Sequence, residues 1–100
     1  MRAYNTKGRL INCVITQCGY SGIASGCNAL IEVEGSQTKV DGNGTLGDSD
    51  HYGLYTDSTS SIVHLLFPLT KESVSTNNLG GGNYNSRVGT IQTVNTLESL

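Results

Sequence analysis

Tryptophan is absent, and phenylalanine, methionine and proline occur once each. Five tyrosines bring the aromatics to six in 100 residues. Large rings therefore supply little of the interior, so any core has to be thin and aliphatic. Charge is scarce too: 14% of residues are charged and the net charge is −2. That excludes the basic patch that nucleic acid or an anionic membrane surface would need. Long apolar runs are missing. The best, residues 62–69, is interrupted by His64 and Pro68, and it falls far short of the ~20 residues of a membrane span. Residues 1–7 are polar and the run 10–15 is too short for the apolar part of a secretory signal. Synthesis in the cytoplasm is expected. Three cysteines is an odd number, which suits a reducing compartment or one spare thiol. Cys18 and Cys27 flank one loop and would bridge only in an oxidising setting.

What is abundant is small and polar. Glycine, serine, threonine and asparagine fill 44 of the 100 positions. Threonine suits a pleated surface, and glycine and asparagine suit tight turns, so short strands with many turns are predicted rather than helices. One hundred residues make a single β domain, 1–100.

Along the chain, residues 9–16 read as a nearly continuous apolar strand. Residues 29–34 alternate, with Ala29, Ile31 and Val33 on one face and Glu32 and Glu34 on the other. Gly35 and Ser36 then read as a two-residue hairpin turn, with 37–41 returning as the antiparallel partner. Residues 52–56 and 60–69 read as strands, 71–76 as a helical turn or loop, and 87–97 as a closing strand. No internal repeat is apparent. About six short strands with turn signals every ten residues or so predict an all-β fold, a small sandwich or barrel with Gly-rich loops.

The patterns that carry chemistry fail on context. Gly42-Asn43-Gly44-Thr45-Leu46-Gly47 matches the spacing of a dinucleotide fingerprint. No helix can follow it, however, and Asp41, Asp48 and Asp50 would repel a pyrophosphate. The same acidic stretch breaks the calcium-loop spacing, with Leu46 where a glycine and Tyr52 where a bidentate glutamate would stand. Cysteines and histidines lack the close pairs of a zinc site. Gly19-Tyr20-Ser21-Gly22 approaches a nucleophile elbow, but Ile23 replaces the final glycine. His51 and His64 have no diagnostic partner, and no cofactor or metal is implied.

Two functions remain. The first is a non-enzymatic structural or assembly protein, pairing with itself or with other assembly proteins. A virion component (capsid decoration, head–tail or fibre) suits the thin core and polar β-rich surface. Residues 1–31 carry Arg2, Lys7 and Arg9 and no acid, while 32–57 sum to −5. Such opposite surfaces suit head-to-tail self-association. The second is a small oligomeric binder that sequesters a phosphorylated metabolite or nucleotide. Its site would be Gly80, Gly81 and Gly82, whose bare amides could form an anion nest, with Arg87 beside them.

Overall fold

A computed structural model describes residues 1–85 and 90–96. Among these are eleven strands and one helical turn, laid down in successive rungs. The first rung holds β1 (Arg2–Tyr4), β2 (Lys7–Ile11) and β3 (Val14–Thr16). The second holds β4 (Ile23–Gly26), β5 (Leu30–Glu34) and β6 (Lys39–Asp41). The third holds β7 (Tyr52–Thr56), β8 (Ile62–Leu66) and β9 (Ser75–Thr76), with α1 (Lys71–Val74) leading into β9. Thr70 and Ser73 cap that turn reciprocally. The fourth holds β10 (Gly82–Tyr84) and β11 (Ile91–Val94).

Each strand pairs in parallel with its counterpart one rung on. The three sheets are ordered β1-β4-β7-β10, β2-β5-β8-β11 and β3-β6-β9. The chain is a three-faced parallel solenoid. A parallel pair needs a long crossover, and here the other two faces of the rung supply it.

The interior is built from stacked aliphatic rows. Leu10, Val33 and Leu65 share one register position, and Ile31, Val63 and Ile91 share another. Val33, Leu65, Ile31 and Val63 are fully buried. The scarcity of large rings matters little, because a rung one strand thick leaves room for only one aliphatic layer.

The abundant asparagines serve the corners. Asn5 (φ 55°), Asn12 (φ 51°) and Asn28 (φ 66°) adopt the left-handed backbone that a sharp corner needs, which asparagine tolerates better than other non-glycine residues. Asn12 Oδ1 also accepts the Gln37 N–H at 3.0 Å. Gly35 (φ 103°) lies against that side chain, and a Cβ there would collide with it. Deeper in, the fully buried Asn43 joins three rungs. Its Oδ1 accepts the Cys18 N–H at 3.0 Å, and its Nδ2 donates to Ile15 O and to Asn78 Oδ1. Asn78 Nδ2 in turn donates to Val40 O and Ser75 Oγ.

The solenoid overturns the expected sandwich or barrel. Gly35 is a turn, but it is a corner between faces, not a hairpin. β5 pairs with β2 and β8, while β6 pairs with β3 and β9. Residues 9–16 are likewise broken at Asn12 into strands of two different sheets. Hairpin turns and solenoid corners use the same residues, so local chemistry does not say where a strand finds its partner. The repeat escapes notice because its length varies. Arg2 lies beside Ala24, and Ala24 beside Tyr55.

Candidate functional site

The outer face of the first sheet carries a half-open cleft of about 660 Å³. Its position follows from strand alternation. Ala3, Ser25 and Thr56 share a register position and are buried. Their neighbours Arg2, Ala24 and Tyr55 form the adjacent row, which points outward. Ala24, the smallest of the three, leaves a hollow between Arg2 and Tyr55. The loops before β4 and before β7 complete its lining, the first with Cys18, Gly19, Tyr20 and Ser21 and the second with Asp50 and His51.

Several of these groups are held in place. The Met1 ammonium donates to Gly22 O at 2.6 Å. Ser21 Oγ accepts the Tyr52 N–H at 3.0 Å. The Tyr20 and His51 rings meet at 4.7 Å, tilted by 46°. Tyr55 lies nearly parallel to Tyr52, with centroids 6.0 Å apart. A smaller hollow shares Arg2, Ala24 and Tyr55 and continues to Tyr4 and Asp57. A hydrogen bond with the Cys27 thiol raises the Tyr4 pKa above the ordinary 10.0.

His51 Nδ1 is buried and has no hydrogen-bond partner. Among the described residues no cluster of three or more His, Cys, Asp or Glu could hold a metal ion. All three cysteines are free thiols, and Cys18 and Cys27 do not bridge.

The expected phosphate loop lies elsewhere. Gly80 and Gly81 follow β9 and pack against the backbone carbonyls of Asp48, Ser49 and His51, while space is open beside Gly82. The Gly81 N–H donates to His51 O at 2.7 Å and the Gly82 N–H to Leu79 O at 3.2 Å. A Cβ on Gly81 would strike the Tyr52 ring. Arg87 lies outside the described residues.

Glu32, on the strand face opposite Ile31 and Val33, is fully buried and paired with Arg9 at 2.9 Å. Arg9, Glu32, His64 and Gln92 occupy one register row. Arg9 and Glu32 are far apart in sequence, and only rung stacking brings them together. His51 and Tyr20 are a second such case; no spacing signal joins them.

Compared with known proteins, the chain matches no family model, no curated protein and no solved structure. Among the described residues no helix is long and apolar enough to cross a membrane.

Proposed function

We propose that the protein is a non-enzymatic assembly module that stacks end to end with further copies of itself, the kind of unit from which a fibre or virion appendage is built. The observation that carries this reading is the open first rung. Leu10 and Ile15 are only half-buried, while their register neighbours Val33 and Val40 are fully buried. β1, β2 and β3 each have a partner on one side only. Repeat folds need a polar cap on the terminal repeat, and an unpaired strand edge is a template for another chain. Here the first rung instead exposes Ile11 at 54% and Val14 at 64%.

Charge selects the direction. The first rung carries Arg2, Lys7 and Arg9 and no acid, so two such ends repel. Stacking is then head-to-tail, a heterologous contact that runs on as a filament unless it closes into a ring. Cytoplasmic synthesis followed by incorporation into a fibre or virion is the setting this reading implies. Sedimentation velocity at micromolar concentration tests it. Species larger than 10.6 kDa that grow with concentration are expected, and lysine at both Ile11 and Val14 should return them to monomer with an unchanged strand signal. A sharp, concentration-independent monomer would remove the proposal.

A further inference from the structure

We propose that the cleft over Arg2, Ala24 and Tyr55 binds a short, uncharged saccharide. Its volume of about 660 Å³ lies within the ~300–1,000 Å³ usual for small-molecule sites. Its rings are not spent on the core. Tyr20 is 64% exposed yet positioned by His51, and Tyr55 is positioned by Tyr52. Aromatic faces held in place by neighbours present flat apolar surface at little ordering cost. The C–H face of a sugar ring is the matching ligand surface.

Charge narrows the class. The lining mixes two cations, Arg2 and the Met1 ammonium, with the carboxylate of Asp50, so a ligand of either sign meets a like charge. A polyhydroxyl ligand uses both, since a carboxylate accepts two hydrogen bonds and a guanidinium donates in a fork. A single-stranded nucleic acid would also stack on tyrosine, but it needs a basic track along its backbone, and here Arg2 and the Met1 ammonium share the lining with the Asp50 carboxylate. The smaller hollow repeats the mixture beyond Tyr55, with Tyr4 and Asp57 in place of Tyr20 and Asp50. The ligand therefore runs along the strand direction as a chain of similar units. The cleft opens sideways from the first sheet, so rung-on-rung stacking leaves it free.

Amide NMR with millimolar maltotriose, cellotriose and N-acetylchitotriose tests the assignment, with trigalacturonate and choline as charged controls. At least one neutral trisaccharide should shift the amides of Gly19, Tyr20, Ser21, Ala24, His51 and Tyr55 more than either control. Tyr20→Ala and Tyr55→Ala should each weaken that binding about tenfold. Tyr20 is exposed, so its variant keeps the fold, and an unchanged melting curve verifies this even if Tyr55→Ala unfolds. Silence with all three neutral probes, an equal response to a charged one, or an unweakened response in Tyr20→Ala would overturn the proposal.

Discussion

The first and second rungs are made of the same kinds of residue and differ in what stacks on them. Leu10 and Ile15 are as apolar as Val33 and Val40, yet only the second pair is fully buried. Arg9 keeps 29% of its side-chain surface while its partner Glu32 keeps none. Burial in a solenoid is conferred by the rungs above and below, so the same side chain is core in the middle and surface at the end. It follows that a middle-rung substitution should cost more than its register mate in the first rung.

The largest effects should come from the ion pair and the central stack. Arg9→Ala leaves Glu32 buried without its counter-charge and should cost about 3–5 kcal/mol in urea unfolding. Replacing Arg9 with Met and Glu32 with Leu together should restore most of that loss, since the pair removes both charges. If the double variant is as unstable as the single, the pair is not what holds this row. Leu65→Ala should cost about 2–5 kcal/mol, as cavities in close-packed cores do. Leu10→Ala, in the same row but at the open end, should cost clearly less. Equal losses at Leu10 and Leu65 would break the distinction between rungs.

Asn43→Ala comes next. It strips partners from the Cys18 N–H and the Ile15 carbonyl, and an orphaned buried group costs about 1–3 kcal/mol. Asn5→Ala, at an exposed corner of the first rung, should cost less, and comparing their unfolding midpoints sharpens the contrast.

The smallest effect concerns pH at the far end. The Tyr84 hydroxyl donates to Glu72 Oε2 at 3.2 Å, with Lys71 Nζ 4.8 Å from the ring centroid. The hydrogen bond to Glu72, then its charge, raises the Tyr84 pKa above 10.0. A pKa raised by folding means that the contribution is complete below the unfolded value and is lost as pH rises through the folded one. Ultraviolet titration should show a tyrosine step above 10.0 that Tyr84→Phe deletes.

The strands themselves were legible. The alternation of Ala29, Ile31 and Val33 does mark the buried face of β5, and the stretches around Tyr52 and Ile62 do form strands. The burial of Glu32 was not legible, because alternation records which face a residue takes, not what covers that face. The cleft was illegible for a similar reason. Cys18–Ser21 and Asp50–His51 belong to different rungs, and no spacing rule joins loops whose separation varies.

Sequence alone determined that the chain is all-β, turn-rich and thin-cored. Those properties follow from local backbone preference and from the shortage of large apolar side chains. Only the tertiary structure decided that Gly35 and Asn12 turn corners rather than hairpins, that Arg9 meets Glu32, and that Tyr20 and Tyr55 wall one cleft. Strand pairing is a non-local choice. Parallel and antiparallel partners are built from the same residue types, and the winner is the arrangement that stacks Leu10, Val33 and Leu65 in one row.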